Sequence, residues 1–362
     1  MADTLTVAAP GRICLFGEHQ DFLGLPVIAA AIDLHITIFG RRVGGDVIRL
    51  DMPDIEDADE FDPCCALEPR TPRDYLRAAI NVLLREGIQP PLGWDCTITG
   101  KLPINAGCSS SSALTVAWVK FLLEAADACG KDDPAAVARL AHRAEVVEFG
   151  EPGGMMDHYT SAMGGVVHID TRDPIEVTPL RESMDGFVLG DSVERKETTT
   201  VLRRSKEDVL EGVRLLKERH GEFDLHATTL DDAGPWLADL PEHNRLKVEA
   251  NIIDRDLCRR GLELLRGGLD PAAVGRLLTQ HHWELSGKLG VSTPKLDRMV
   301  EAAVAAGALG AKLNGSGGGG CMFAYCPGAE ERVAAALADA GGKPCIVHSD
   351  SGARVIGECG GA

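Results

Sequence analysis

The apolar positions along the chain change their period part-way through. Leu5–Ala8 and Arg12–Phe16 read as short strands parted by a Pro-Gly turn, and Ala31–Gly40 alternates toward Ile36 and Ile38 as a longer strand. Val47–Leu50 is expected to pair with it, and the carboxylate-dense stretch Asp51–Asp62 to form a solvated loop. In Asp74–Arg85, Tyr75, Leu76, Ala79, Val82 and Leu83 fall near helical spacing, which predicts an amphipathic helix. Trp94–Thr99 is a predicted strand. A Gly/Ser-rich loop then leads into a predicted helix over Ser110–Ala128. Pro134–Phe149 carries Val137, Leu140, Ala141, Ala144 and Val147 on one face and ends at Gly-Glu-Pro-Gly-Gly.

After Thr171-Arg-Asp-Pro174 a new strand-forming section begins at Phe187–Gly190. Helices are expected around Lys206–Arg219, Leu246–Arg266, Ala272–Lys288 and Pro294–Ala306. A glycine run, Gly315–Gly320, then precedes the apolar strand Cys321–Cys326. A strand-rich first half and a helix-rich second half with late strands make the fold class α+β, not doubly wound. The division into domains is expected at 1–175 and 176–362.

Composition narrows the function. The 362 residues are 44% apolar, enough for two domains sharing a cleft and too much for disorder. The formal charge of −18, from 55 acidic against 37 basic residues, disfavours nucleic acid and anionic membrane surfaces as partners. It does not exclude a nucleotide, because backbone amides, Mg²⁺ and one or two cations override the global field locally. Eleven cysteines with no CxxC pair support neither zinc nor a disulfide framework, and are expected to be buried, reduced thiols. The N-terminus lacks a basic region followed by a long apolar stretch, and Val27–Ile32 is too short to span a bilayer, so a cytoplasmic chain is expected.

Four segments carry candidate chemistry. Pro103-Ile-Asn-Ala-Gly-Cys-Ser-Ser-Ser-Ser-Ala113 joins a strand to a helix, where unpaired amides and the positive end of the dipole attract phosphate. An ordinary capped loop is the plain alternative, but four consecutive serines exceed what capping needs. No Walker pattern GxxxxGK[ST] is present, so a nucleotide site here is not a P-loop. Gly315-Ser-Gly317-Gly318-Gly-Gly320 satisfies GxGxxG but runs into a strand, against a dinucleotide fold. Five glycines in six residues are costly in entropy, which favours close approach to a ligand over a bare turn. In Ala9–Asp21, Arg12 opens a strand, and Glu18, His19 and Asp21 cluster after Gly17 as groups able to grip a polyhydroxylated ligand. In Ala144–His158, Glu145 sits on a helix and Asp157 follows a glycine turn. Taken alone these two are a solvated helix residue and a helix cap.

Together and in this order, the segments resemble the GHMP kinases (galacto-, homoserine, mevalonate and phosphomevalonate kinases) over nearly the whole chain. Ala9–Asp21 resembles the family's first motif, Pro103–Ala113 the second, and Lys312–Cys321 the third. The resemblance implies a two-domain fold: an N-terminal domain like domain 2 of ribosomal protein S5, with a left-handed βαβ crossover, and a C-terminal α+β domain. It implies ATP with its phosphates under Gly107–Ser111, contacted from Pro103, Ala106, Gly107, Cys108, Ser109, Ser110, Ser111 and Ser112 and from Gly317 and Gly318. It implies Mg²⁺ on Ser111 and Glu145, Asp157 as the catalytic aspartate, and Arg12 as its cationic partner.

The acceptor divides the family. Glu18-His19-Gln20-Asp21 resembles the galactokinase Glu-His-x-Asp, and Gly154-Met-Met-Asp157 the galactokinase Gly-Ile-Met-Asp, which places Glu18, His19, Asp21 and Gly154 against a sugar. Leu289–Asp297 and Lys312–Cys321 look more like mevalonate kinases, and only Arg203 stands near the position of a sugar-contacting tyrosine. The reading is a monosaccharide 1-kinase acting on galactose or a relative, as monomer or homodimer. A mevalonate kinase and a non-catalytic sugar or ATP sensor remain as alternatives.

Overall fold

A computed structural model describes residues 3–102, 107–194 and 198–359. The first sheet is built from β1 (Thr4–Phe16), β2 (Val27–Arg42), β3 (Ile48–Met52), β4 (Asp57–Phe61), β5 (Trp94–Gly100), β6 (Val166–Asp170) and β7 (Glu176–Arg181). The second comprises β8 (Phe187–Asp191), β9 (Gly310–Asn314), β10 (Cys321–Tyr325) and β11 (Lys343–Val347), in the order β11-β8-β10-β9. The final strand, β12 (Arg354–Cys359), returns to the first sheet and pairs antiparallel with β1, giving a path β12-β1-β2-β5-β3-β4 with β6 on β2 and β7 on β6. The expected domain limit at 175/176 therefore falls between two strands that pair with each other, and the first sheet draws on both ends of the chain.

Three readings of the first half change. Leu5–Ala8 and Arg12–Phe16 are one strand, because the Pro10–Gly11 pair is absorbed as a register shift against β2. Val47–Leu50 does not lie beside Ala31–Gly40: β5 pairs with β2 and takes β3 in parallel on its other side. The acidic stretch Asp51–Asp62 contains the edge strand β4, whose carboxylates meet arginines, exposed in Arg49 Nε–Glu60 Oε2 at 2.7 Å and largely covered in Arg77 Nη2–Asp59 Oδ1 at 2.8 Å. Charge on an edge strand discourages pairing with other chains.

Helices α1 (Tyr75–Arg85), α2 (Ser110–Ala125), α3 (Pro134–His142) and α4 (Met156–Met163) pack around the first sheet. Asp74 caps α1 by accepting from the Arg77 amide, and the Trp118 indole on α2 donates to the Leu76 carbonyl at 3.0 Å, locking the two helices inside one core. The helix expected over Pro134–Phe149 is α3 continued by a π-helical turn, Arg143–Val147.

The remaining helices are α5 (Thr198–Arg219), α6 (Leu230–Leu237), α7 (Glu242–Arg266), α8 (Pro271–Gly287), α9 (Pro294–Ala305) and α10 (Glu330–Asp339). Ile13, Leu15 and Phe16 of β1 share a core with Leu257 of α7, Leu278 of α8 and Phe323 of β10, so β1 belongs to both halves. A Cβ on Gly261 would lie 2.5 Å from the Phe16 ring, which is why α7 carries glycine where it crosses β1. The ten cysteines described are free. Cys64, Cys65 and Cys129 are exposed rather than buried. Among the described residues, no helix is long and apolar enough to cross a membrane.

Candidate active site

Arg12 leaves β1 just after the bulge. Its neighbour Gly11 has no room for a side chain: a Cβ there would come within 2.3 Å of Leu102 and 2.7 Å of the Cys108 carbonyl. That close approach lets the Arg12 amide donate to the Cys108 carbonyl at 3.3 Å and seats the serine-rich loop on β1. The buried Arg12 side chain then donates from Nη1 to the Gly107 carbonyl at 2.6 Å and from Nε to Asp157 Oδ1 at 2.7 Å.

Asp157 lies in the first turn of α4, where the helix dipole favours a carboxylate. Burial, the largest influence, pushes its carboxyl up, but the Arg12 guanidinium, the Ser109 hydroxyl and the neighbouring His158 together hold it below the ordinary carboxylate value. Its side chain remains 27% exposed, toward a cavity it shares with Arg12. A carboxylate that is ionised, fixed and accessible is what a base acting on a hydroxyl needs.

The serine loop forms another wall. Gly107 (φ 93°) and Ser109 (φ 60°) are left-handed, a turn that brings Ser109, Ser110, Ser111 and Ser112 into α2 with Gly107 beside them on the cavity. Cys108 points the other way, fully into the core. Pro103 and Ala106 lie outside the described residues. From the late glycine run, Gly315 and Ser316 reach the cavity, whereas Gly317 and Gly318 do not. The Gly318 amide donates to the Val291 carbonyl at 2.7 Å, and a Cβ on Gly317 would meet that same oxygen at 2.0 Å. Those two glycines permit close packing on the protein's own backbone.

The group after Gly17 divides. Glu18 is committed to a buried pair with Lys312 Nζ at 3.0 Å and reaches the cavity with little surface. His19 Nε2 lies 3.0 Å from the Ser316 carbonyl and so donates to it. Asp21 accepts the Phe22 and Met156 amides at 2.9 and 3.2 Å. Burial, then the charge of Asp157, raise its carboxyl to about 6. Gly154 makes this contact possible, since a Cβ there would fall 2.0 Å from Asp21 Oδ2.

Glu145 sits on the π-helical turn, a distortion that re-aims side chains and recurs at functional sites. Its Oε2 accepts from the buried His158 Nε2 at 2.8 Å, and it lines the same cavity as Ser111.

Several lining residues escaped the sequence reading: Arg73, Tyr75, Glu151, His158 and Leu202. His158 adjoins Asp157, but nothing local foretold its bond to Glu145. Arg203, expected nearest the tyrosine position, is exposed; Leu202 faces the cavity instead. Asn314, quoted only as part of a motif, binds the Cys14 amide through Oδ1 at 2.9 Å and the Gly107 carbonyl through Nδ2 at 2.9 Å, tying the second sheet to the serine loop.

The charges around the cavity are unequal. Glu18, Asp21, Glu145, Glu151 and Asp157 line it with two guanidiniums, Arg12 and Arg73. Arg12 is held by Asp157, and Arg73 makes a two-pronged bond to Glu151 at 2.8 and 3.0 Å.

Residues 74–165 match the family described as GHMP kinases N terminal domain, residues 262–343 GHMP kinases C terminal, and residues 2–42 the galactokinase galactose-binding signature. A mevalonate kinase of Thermococcus onnurineus is 31% identical, the match covering 96% of this chain and 97% of that protein. A galactokinase of Pyrococcus furiosus is 29% identical over 88% of each. The solved structure of Lactococcus lactis galactokinase complexed with galactose superposes with a TM-score of 0.85 at 21% identity, covering 98% of this chain and 95% of that one.

Proposed function

The chain belongs to the GHMP kinases, phosphotransferases that use ATP and an alcohol acceptor, and from that premise we propose that it phosphorylates a neutral monosaccharide, most simply the anomeric 1-hydroxyl of galactose or a close relative. The observation that carries the choice of acceptor is the charge around the cavity. Five carboxylates line it, and Arg12, Arg73 and the buried Lys312 each hold one of them, which leaves Asp21 and Glu145 in excess. A neutral polyol suits such a site, because carboxylates accept hydrogen bonds from hydroxyls. An anionic acceptor meets repulsion there. The match of residues 2–42 to the galactose-binding signature supports the same acceptor.

In this reading Asp157 accepts the proton of the attacking hydroxyl, and Arg12 keeps that carboxylate ionised and oriented toward it. Asp21, His19 and Glu18 fix the remaining hydroxyls, with Gly154 leaving space for Asp21. Gly107 and Ser109–Ser112 hold the phosphates at the start of α2. The donor set fits Mg²⁺: Ser111 and Glu145 present hard oxygens to one cavity, with His158 steadying the carboxylate from behind. Bound there, the ion would neutralise charge on the β- and γ-phosphates. Arg12 and the loop then do the positioning on which phosphoryl transfer chiefly depends.

Mevalonate is the second reading, favoured by the 31% identity to mevalonate kinases over almost the full chain. One assay separates the two: purified protein with Mg·ATP and a panel of free aldoses, uronic acids and mevalonate. Phosphate transferred to an aldose is expected; transfer to mevalonate alone overturns the sugar reading.

A further inference from the structure

A second cleft lies between α5 and α7, closed at one end by the turn Leu289–Val291 that follows α8. Its volume of about 670 Å³ is in the range of small-molecule sites. It shares no lining residue with the catalytic cavity. Helical spacing places Arg204, Ser205 and Asp208 of α5 on one wall, and His243 and Lys247, one turn apart on α7, on the other.

Two features point to an anion. Ser205 is 4% exposed, and its Oγ has no hydrogen-bond partner among the described residues. A buried hydroxyl left in that state is costly. Lys247 and Arg204 also stand close enough to repel. Burial lowers the Lys247 ammonium, Asp208 pulls it partly back, and the nearby Arg204 charge adds a smaller downward push. Lys247 donates to the Leu289 carbonyl, which accounts for one of the three protons an ammonium can donate. In a chain of net charge −18, Arg204 and Lys247 outnumber the one carboxylate of this cleft, Asp208, and leave it net positive.

We propose that this cleft binds the phosphoryl group of a small phosphate monoester, with its oxygens meeting Arg204, Lys247 and the Ser205 hydroxyl. A dianion with three terminal oxygens matches two cations and one hydroxyl donor; a carboxylate offers two oxygens and a single charge. Val201 and Leu289 supply an apolar wall for the carbon part of the ester. The site adjoins the catalytic cavity without entering it: Leu202, next along α5, faces the other way, and Val291 carries the carbonyl bound by the Gly318 amide.

The test is calorimetric titration of glycerol 3-phosphate into full-length protein carrying Asp157→Asn. Saturating Mg²⁺, a non-hydrolysable ATP analogue and galactose keep both the nucleotide and the acceptor parts of the catalytic cavity filled. One saturable site with a dissociation constant of about 1 mM or tighter is expected. Arg204 is exposed and makes no described contact that holds the fold, so Arg204→Gln should fold normally and weaken binding about tenfold or more. Ser205→Ala should weaken it by a smaller factor. Inorganic phosphate should bind more weakly than the ester, for want of the apolar contact. No saturation, competition by the ATP analogue, equal affinity in Arg204→Gln, or equal binding of acetate would each overturn the assignment. Because the catalytic base is absent from the protein titrated, this result is independent of which acceptor the kinase uses.

Discussion

Two cation–carboxylate pairs are anchored near β1, and they serve different ends. Arg12 and Asp157 meet at 2.7 Å with the carboxylate 27% exposed to the cavity. Lys312 and Glu18 meet at 3.0 Å with side chains 0% and 3% exposed. Lys312 also donates to the Cys14 carbonyl at 2.9 Å and lies 5.3 Å from the Phe323 ring, so its hydrogen-bonding capacity goes to joining β9 with β1. The chemistry of the partners is similar; access is not. A pair whose carboxylate is well exposed to the cavity has a base to offer a substrate, whereas one that reaches it with little surface, its charge held by Lys312, chiefly fixes the position of the site.

The comparison is sharpened most by breaking the open pair. Asp157→Asn should lower kcat by about 10²–10⁴-fold while circular dichroism shows an intact fold. Retention of full activity would remove the proposed base. The sealed pair should respond the opposite way. Lys312→Met leaves the Glu18 charge buried without its partner and should cost about 3–5 kcal/mol in urea denaturation, with Lys312→Met/Glu18→Gln recovering most of the loss.

A smaller effect follows from Asp21, which lies between the two pairs in character. With its carboxyl raised to about 6, the folded chain keeps a proton that the unfolded chain has already released. Stability should therefore fall as pH rises from about 4 to about 6, by roughly 2–3 kcal/mol from this group alone. Asp157 is held below its ordinary value and works in the opposite sense, losing its contribution only as pH falls below that window. Denaturation measured at several pH values should show the downward slope in the parent and a flatter one in Asp21→Asn. The smallest change is Gly154→Ala, whose Cβ would displace the Asp21 carboxylate. It should raise KM for the acceptor about tenfold and leave KM for ATP nearly unchanged, in steady-state kinetics with each substrate varied.

Much of the site was legible because its pieces are local. A strand running into four serines and a helix predicts amides and hydroxyls at a helix start from sequence neighbours alone, and the structure has that geometry at Gly107–Ser112. Asp157, which alone reads as a helix cap, was singled out only by the resemblance that the ordered segments carry together. The second glycine run looked equally promising, yet at Gly317 and Gly318 it turned inward. Composition records freedom of the backbone but not the direction of its amides. That Glu18 is also held by Lys312 was not legible, because this partner is 294 positions away.

The sequence by itself determined the local elements, the turn chemistry and the set of acidic, serine and glycine groups from which a kinase site is made. These depend on backbone preferences and side-chain periods acting over a few residues. Only the tertiary structure decided which carboxylate meets which cation. Arg12 and Asp157 are 145 residues apart, and their contact exists because β1, α4 and the serine loop pack around one buried centre. Burial and charge pairing arise from that packing, so they fixed which carboxyl is ionised, which retains a proton and which is sealed.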